Sequence, residues 1–352
     1  MHLPEFRLFG PLNALPSALQ FLKAVFGRSI WLALLFLGVP ASAQGPNSHV
    51  AFVVHGGVDS AGPRELSPLK EKAVRAGITR ALTTGYATLK RGGTAVDAVE
   101  DALRTFEDDN TFDAGRGSVL NADGAAELDA SIMDGGTLKA GSVAALHHIT
   151  HPISLARLVM DRTSHVMLVG DGAEKFAHSQ GIAMVSNSYF ITQGRRQEYK
   201  QWLRSRPSDS SGERHHGTTG ALALDQKGNL AAGTTTGGTP WKLPGRVGDS
   251  PLIGAGTYAN NTLGCAVSGS GAGEYFIRNA IAADVCHRAV YLHQGVEQAA
   301  EYVINTELKE QRGEGGVIVL NSDGHFVRVF NTAAFWVGYI DANGNPVVEL
   351  FR

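Results

Sequence analysis

Apolar runs and helical periodicity follow one another along this chain. The run HVAFVVH at 49–55 predicts a buried strand that stops at Gly56-Gly57. One helix is predicted from Pro68 to Lys90, and a second begins after Thr94, a suitable N-cap. Apolar residues recur every three or four positions in the second helix and form one face. They are Val96, Val99, Leu103 and Phe106.

The pattern continues with short strands and helices on both sides of a polar segment. A hairpin is predicted where GSVLN and AAELDASIMDG flank the turn Ala122-Asp123-Gly124. Further strands are predicted at 138–146, 165–170, 219–225, 229–236, 263–268, 315–321, 325–330, 335–340 and 347–351. Further helices are predicted at 152–161, 171–179, 273–292 and 296–308. The polar segment, 193–217, is predicted to be a mobile linker. This order favours an α+β fold with two sheets packed face to face and covered by helices.

Composition narrows the class of protein. The chain has 352 residues, 43% of them apolar and 18% charged, with 43 glycines. These values suit a β-rich enzyme with many tight turns and exclude a disordered chain. The net charge is −2, and no long block of like charge occurs. We therefore expect no nucleic-acid partner.

The first 43 residues have the pattern of a secretory signal. Arg28 precedes the apolar run IWLALLFLGV at 30–39, and Ala41-Ser42-Ala43 fits a cleavage site. The run is too short to span a bilayer comfortably. We predict a signal peptide over 1–43 and an exported protein, periplasmic or secreted after cleavage near Ala43. An uncleaved membrane anchor is the alternative.

The sequence contains two cysteines, Cys265 in a strand-like run and Cys286 in a helix-like run. A disulfide is the option that export would allow. We expect two buried free thiols instead.

Familiar catalytic motifs are absent from the sequence. HGG at 55–57 follows a strand, as an oxyanion loop of lipases does, but the chain has no G-x-S-x-G elbow. It has no G-x-x-x-x-G-K-[ST] loop either, and GSGAG at 269–273 is only a broken dinucleotide fingerprint. His215-His216 lies in the polar segment without Cys or carboxylate neighbours that would complete a metal site.

Thr218 has the surroundings that a threonine nucleophile needs when no histidine base is present. An N-terminal threonine uses its own α-amine, which titrates near pH ~7.7–8.0, as the base. The chain must first be cut before that threonine. Gly217 permits an unusual backbone conformation at the cut, the polar segment lets the new end move away, and a strand follows. The alternative is that Thr218 and Thr219 are ordinary strand residues after a loop.

The run GTTTGGTPWKLPGRVGDSPLIGAGTYANN at 233–261 resembles the plant-type L-asparaginases and isoaspartyl peptidases, which are N-terminal-nucleophile (Ntn) hydrolases. The resemblance extends over nearly all of the mature chain through VVHGG, FDAGRGSVLN, ELDASIMDG and LKAGSVAAL. It implies a four-layer αββα sandwich and a precursor that cuts itself between Gly217 and Thr218. The halves, 44–217 (α) and 218–352 (β), would stay together, and two such pairs would form a homodimer.

The resemblance also implies the reaction and its catalytic groups. The enzyme would hydrolyse L-asparagine or β-aspartyl (isoaspartyl) dipeptides through an acyl-enzyme and release aspartate. Thr218 matches the nucleophile and base, and Thr236 matches the threonine that orients it. Ser270 and the N–H of Gly271 match the oxyanion hole.

The same resemblance implies a substrate clamp. Arg246 matches the arginine that grips the substrate α-carboxylate, where a planar guanidinium suits two oxygens. Asp249 matches the carboxylate that holds the α-ammonium, and Gly273 matches a further substrate contact. No cofactor is expected to be required. A structural sodium ion held by backbone carbonyls of the loop Phe106 to Arg116 is implied by the family.

Three positions depart from the family's usual pattern. Ser270 replaces a threonine, Thr219 replaces a valine, and Asp113 stands where relatives often have asparagine, so its charge can alter substrate preference. Two other functions stay open. A glycosylasparaginase of the same fold usually has Asp before its nucleophile and Asn-Gly after its second threonine, whereas this chain has Gly217 and Gly237-Gly238. The other is a non-catalytic binding protein that kept the fold. No motif fixes the preference between asparagine and isoaspartyl dipeptides.

Overall fold

The computed structural model describes residues 50–205 and 217–352. The predicted signal peptide 1–43 and segment 206–216 of the predicted linker lie outside the described residues. Within the described ranges, no helix has the length and apolar character needed to cross a membrane.

The strands of the described chain form two sheets. They are β1 (Ala51–Asp59), β2 (Leu128–Asp134), β3 (Ala140–Leu146), β4 (Met167–Val169), β5 (Thr218–Leu224), β6 (Leu230–Thr236), β7 (Thr257–Asn260), β8 (Cys265–Gly271), β9 (Gly315–Asn321), β10 (Phe326–Phe330), β11 (Ala334–Ile340) and β12 (Pro346–Glu349). The larger sheet has the order β12-β11-β1-β5-β6-β2-β3-β4, and the smaller has the order β10-β9-β8-β7. All pairs are antiparallel except β3 with β4.

Eight α-helices accompany the sheets in the described ranges. They are α1 (Pro68–Lys90), α2 (Ala95–Glu107), α3 (Pro152–Arg162), α4 (Gly170–Ser179), α5 (Gln193–Ser205), α6 (Gly273–Asn279), α7 (Ile281–Tyr291) and α8 (Gly295–Glu301). A short 3-10 helix (Asn187–Tyr189) and a π-helix (Tyr302–Leu308) complete the set. The chain is therefore a mixed α+β protein with two sheets.

Successive side chains along the central strands point to opposite faces of the sheet and so belong to different hydrophobic clusters. Val53 and its β5 partner Leu222 belong to the cluster between the two sheets. Their neighbours, Val54 and Ala221, belong to the cluster that α1, α2 and α3 form against the larger sheet. A third cluster lies between the smaller sheet and the helices α7 and α8. Because both faces are covered, these strands consist of continuous apolar runs.

Several predicted elements are confirmed. Helix α1 spans Pro68–Lys90 as predicted. Thr94 caps α2, and its side chain forms a capping box with Asp97. The tight turn at 122–124 is present, with Gly124 N–H donating to the Asn121 carbonyl. The predicted hairpin around it is wrong, because 117–121 is not a strand and β2 pairs with β3 and β6 instead.

Other predictions need correction because long-range contacts decided the outcome. The predicted helix 273–292 breaks into α6 and α7 at Ala280, which has a φ of 48°. The predicted linker is not wholly irregular, since 193–205 forms α5. Tyr199 and Trp202 of this helix pack against Trp241, and the two indoles stack at 5.1 Å.

The expectation of two free thiols is wrong. Cys265 on β8 and Cys286 on α7 form a disulfide, with their Cα atoms 5.6 Å apart. Packing of α7 on the smaller sheet brings the two residues within disulfide range. Their positions in a strand and a helix did not reveal this approach.

Candidate active site

The threonine pair lies at the start of β5 and the end of β6. Thr218 and Thr236 are direct partners in the antiparallel ladder, and both are buried. The Thr218 hydroxyl donates to Thr236 Oγ1 at 3.2 Å. Thr236 Oγ1 also accepts from Gly238 N–H at 2.9 Å and lies 3.4 Å from the Gly217 carbonyl oxygen. The second hydroxyl is thus placed between Thr218 and the peptide that precedes it.

The HGG segment at 55–57 packs against this peptide and lies inside β1, so the prediction that the strand stops at Gly56-Gly57 is wrong. Gly57 has a φ of 104°, and a Cβ placed on it would lie 2.9 Å from Thr218 N. Any side chain here would therefore collide with the main chain at Thr218. The ladder between β1 and β11 shifts register between His55 and Val58, and such a bulge bends the strand locally.

Asp113 lies on the other side of Gly217. A Cβ placed on Gly217 would lie 2.6 Å from Asp113 Cβ and 3.6 Å from Oδ2. Oδ1 accepts from Val119 N–H at 2.8 Å, while Oδ2 is buried without a hydrogen-bond partner among the described residues. Burial raises the pKa of Asp113 to about 7, against the opposing effects of Arg195 and Lys242. The sequence analysis predicted that this carboxyl lies near the site, but it did not predict that the carboxyl is buried.

Arg246 and Asp249 converge on the first residue of α6. A Cβ placed on Gly273 would lie 2.8 Å from Asp249 Oδ1 and 2.9 Å from Arg246 Nη2. Arg246 donates from Nε to Glu274 Oε1 at 2.9 Å, and this is the ion pair that Arg246 forms among the described residues. The absent side chain of Gly273 leaves a space bounded by a guanidinium and a carboxyl.

Asp249 is buried, and its Oδ2 lacks a hydrogen-bond partner within the described ranges. Burial raises its pKa to about 7, although Arg246 lowers it. Glu274 and Asp129 add to the rise. A cation bound beside this carboxyl would offset its desolvation.

Ser270 and Gly271 end β8 on the smaller sheet. Ser270 Oγ accepts from Val58 N–H at 3.1 Å, so it lies next to Gly57, the residue of the β1 bulge that approaches the Thr218 main chain. Gly271 pairs with Gly315, and a Cβ on it would lie 2.5 Å from the Glu314 carbonyl oxygen. The two sheets therefore bring β8 to the same end of the site as β5.

A buried charged group was missed by the sequence analysis. Lys242 Nζ donates to the Glu127 carbonyl at 3.1 Å and lies 3.9 Å from Asp129 Oδ2. Asp129 pairs with Thr236 in the β2–β6 ladder, and Glu127 Oε1 accepts from Gly245 N–H at 2.9 Å. These contacts fix the loop between Thr236 and Arg246. The one sequence feature that could have pointed to Lys242 is its position inside the run 233–261, which resembles the family.

The loop Phe106 to Arg116 curls back on its own main chain. Arg116 N–H donates to the Glu107 carbonyl at 2.7 Å, and a Cβ on Gly115 would lie 2.4 Å from the same oxygen. The Glu107 carbonyl oxygen is thus engaged by Arg116 N–H, and main-chain oxygens are ligands that a hard cation accepts. Among the described residues, no group of three or more His, Cys, Asp or Glu side chains is arranged to hold a metal.

Known proteins are similar to this chain over most of its length. Residues 48–349 match the sequence profile of a family described as asparaginase. The chain is 41% identical over 309 residues to an isoaspartyl peptidase of Salmonella typhimurium, covering 85% of this chain and 97% of that protein. It is 46% identical over 287 residues to the isoaspartyl peptidase/L-asparaginase of Mus musculus, covering 80% and 85%. An isoaspartyl peptidase of Escherichia coli is 40% identical over 309 residues, covering 85% and 95%.

The fold and these matches define an enzyme of the hydrolase class. The chain belongs to the asparaginase family.

Proposed function

We propose that this chain is a self-cleaving amidohydrolase that acts on isoaspartyl dipeptides and L-asparagine through an N-terminal threonine. The activities for which its relatives are named support this substrate class. One observation carries the proposal. Thr218, which directly follows Gly217, has its hydroxyl 3.2 Å from the hydroxyl of Thr236.

Maturation begins with attack of Thr218 Oγ1 on the carbonyl carbon of Gly217. The C–N bond between the two residues breaks, the amide nitrogen gains a proton, and Gly217 is left as an ester on Thr218. Breaking this bond frees the α-amine, and water then hydrolyses the ester, which releases the Gly217 carboxylate and restores the Thr218 hydroxyl. The contact between Thr236 Oγ1 and the Gly217 carbonyl oxygen supports a role for Thr236 in polarising this carbonyl. The products are an α chain ending at Gly217, 44–217 once the signal peptide is removed, and a β chain, 218–352.

In the mature enzyme the α-amine of Thr218 takes the hydroxyl proton as Oγ1 attacks the side-chain carbonyl of the substrate. Ser270 and the Gly271 N–H stabilise the developing oxyanion, a contribution of about 3 kcal/mol for each well-placed donor. The ammonium of Thr218 returns the proton to the leaving amine. Water attacks the remaining ester, aspartate leaves, and Thr218 is regenerated. Thr236 keeps the nucleophile oriented.

Substrate recognition uses the groups that converge on Gly273. The Arg246 guanidinium binds the substrate α-carboxylate, and Asp249 binds the α-ammonium. Asparagine and β-aspartyl dipeptides share these two groups, so one clamp serves both. Gly273 has no side chain to occupy the space between Arg246 and Asp249.

Four further features belong to the proposal. The helices and two sheets form a four-layer αββα sandwich, supported by three hydrophobic clusters on and between the sheets. The α/β pairs assemble as a homodimer. The protein is exported after cleavage near Ala43. Main-chain oxygens of the loop Phe106 to Arg116 hold a sodium ion, which would stabilise the loop without taking part in the reaction.

Intact mass measurement of purified 44–352 under denaturing conditions tests the proposal. A fragment that begins at Thr218 should accumulate over days, and Thr218→Ala should remain uncut. Assays with β-aspartyl-leucine, asparagine and a glycosylated asparagine then rank the substrates. A folded wild-type chain that stays uncut at every pH would overturn self-activation and favour a non-catalytic binding protein. Preference for the glycosylated substrate would favour a glycosylasparaginase.

A further inference from the structure

Two loops beside the proposed cut are joined through their main chains. One loop, 113–122, comes before the cut, and the other, 237–242, comes after it. Their hydrogen bonds run from Gly237 N–H to the Asp113 carbonyl at 3.2 Å, from Trp241 N–H to the Leu120 carbonyl at 2.8 Å, and from Ala122 N–H to the Lys242 carbonyl at 2.9 Å. Under the proposed function, these bonds connect the α chain to the β chain.

Helix α5 contacts both loops and belongs to the α chain. Arg195 and Tyr199 donate to main-chain carbonyls of the loop 113–122, at 2.8 and 3.2 Å respectively. Trp202 stacks on Trp241 of the second loop, with the ring centroids 5.1 Å apart and the planes 13° from parallel. None of the residues of α5 is fully buried, so the helix is held at the surface rather than in the core. The Trp202–Trp241 stack joins the two sides of the cut.

Trp241 has an unusual main-chain conformation. Its φ is 61°, in the left-handed region that a bulky residue rarely adopts. Such a conformation is strained in any residue with a Cβ and persists only where surrounding contacts enforce it. At Trp241 these contacts are the hydrogen bond to Leu120 and the rings of Tyr199 and Trp202, whose centroids lie 5.7 and 5.1 Å from that of Trp241. Helix α5 therefore supplies two of the contacts that hold the strained residue.

The position of Trp241 connects this strain to the proposed site, because Trp241 lies midway between Thr236 and Arg246 in the sequence. The Thr236 end of the loop is fixed, since Gly238 N–H donates to Thr236 Oγ1 at 2.9 Å. A change of φ at Trp241 therefore redirects the chain on the Arg246 side. Hydrogen bonds to Glu127 limit the displacement on that side, so we expect a moderate effect on substrate binding.

We propose that Tyr199 and Trp202 are positioning residues that hold Trp241 in its left-handed conformation and so place Arg246 for substrate binding. The inference rests on the proposed self-cleavage before Thr218 and on the proposed role of Arg246. Helix α5 precedes the cut, yet it stays docked on the β chain in the mature enzyme. It is a working part of the site rather than a remnant of the segment that leads to the cut.

Trp202→Ala tests the stack directly. We expect it to raise KM for L-asparagine about three- to tenfold, the effect of losing one aromatic pair, and to leave kcat within about twofold of wild type. Trp202→Phe keeps a ring and should restore most of the loss. Leu203→Ala is the matched control, because Leu203 is the next residue of α5 and its side chain is 39% exposed. An unchanged KM in Trp202→Ala, or an equal rise in Leu203→Ala, overturns the inference.

Trp241→Gly separates the role in holding φ from a general loss of packing, because glycine adopts a positive φ without strain. Trp202→Ala should raise KM in the wild-type background but not in the Trp241→Gly background. An equal rise in both backgrounds overturns the inference, because it would show that α5 acts on the site by another route.

Circular dichroism of the stacked indoles reports whether α5 stays docked. The signal should be the same in the uncut Thr218→Ala protein and in cut wild type, and it should be lost in Trp202→Ala. Loss of the signal on cutting overturns this inference alone, provided that the cut enzyme hydrolyses asparagine. Wild-type protein that neither cuts itself nor hydrolyses asparagine overturns the proposed function and this inference with it.

Discussion

The Thr218 hydroxyl donates to Thr236 Oγ1 at 3.2 Å because the two residues face each other in the β5–β6 ladder. Eighteen positions separate them along the chain, and a tight turn brings them together. Gly238 N–H supports the same Thr236 oxygen from the following loop. Thr218, the proposed nucleophile, is therefore oriented by a neighbour that is itself fixed by the backbone.

Removal of the Thr236 hydroxyl should impair catalysis. Thr236→Ala is expected to lower kcat about 10- to 1000-fold, because Thr218 loses its orienting partner. Thr236→Ser should stay within about tenfold of wild type, since it retains the oxygen. Steady-state kinetics, normalised to the cut fraction that intact mass gives for each variant, measure this effect. Wild-type kcat in Thr236→Ala would show that the contact is incidental.

Gly273→Ala should weaken substrate binding. Its new Cβ would lie within 3 Å of Asp249 Oδ1 and Arg246 Nη2 and fill the space between them. We expect KM to rise at least about tenfold, while self-cleavage proceeds as in wild type. Gly172→Ala on α4 is the control, because a Cβ there would meet nothing within 4 Å. An unchanged KM in Gly273→Ala would place the clamp elsewhere.

Substrate binding should release a proton from Asp249. Its pKa is about 7 in the free site because the carboxyl is buried, and a bound α-ammonium lowers it. L-aspartate should therefore displace up to about one proton per site near pH ~6 and almost none near pH ~9. Calorimetry in buffers of different ionisation enthalpy counts the protons.

Asp113→Asn provides the control for this proton count, since Asp113 also has a pKa of about 7 and lies on the Gly217 side of the site. Release should persist in Asp113→Asn if Asp249 is the source. Identical heats in all buffers near pH ~6 would contradict the assignment of the ammonium site to Asp249.

Asp113 should make stability depend on pH. Its pKa is raised to about 7 in the folded chain from the ordinary 3.8, so its stabilising contribution is complete below pH ~4 and disappears as pH rises through ~7. In the uncut Thr218→Ala background, Asp113→Asn should therefore reduce the fall in Tm between pH ~5 and ~8. The exposed Asp341→Asn should leave that fall unchanged, because the Asp341 pKa is lowered by hydrogen bonds from Asn345 and Asn343. Parallel curves for all three proteins would contradict the buried state of Asp113.

The disulfide should stabilise the region around the smaller sheet. It closes a loop with a sequence separation of 21, for which chain entropy predicts about 3 kcal/mol. Cys265→Ala with Cys286→Ala should therefore lower the free energy of unfolding, measured in urea on the Thr218→Ala background. Thiol alkylation of unreduced, denatured protein should modify neither cysteine. Modification of both would restore the original expectation of free thiols.

Much of the fold was predictable where local sequence governs structure. The bounds of α1, the Thr94 cap and the continuous apolar runs of the central strands depend on residues a few positions apart. The sequence also identified four candidate site residues, Thr218, Thr236, Arg246 and Asp249. They were found because residue types, their spacing and the resemblance to a family can all be read from the sequence. Their roles remain predictions until the proposed experiments are done.

Tertiary structure decided the features that the local sequence does not specify. The Cys265–Cys286 bond, the helix at 193–205 and the burial of Asp113 each depend on elements that are distant along the chain. The same holds for the contact of His55 with Ser268, which joins residues 213 positions apart. Residue type and spacing determine which local structures and reactions are available. Burial and pairing across two sheets determine which pKa values, partners and conformations result, because desolvation and contact exist only once the chain has folded.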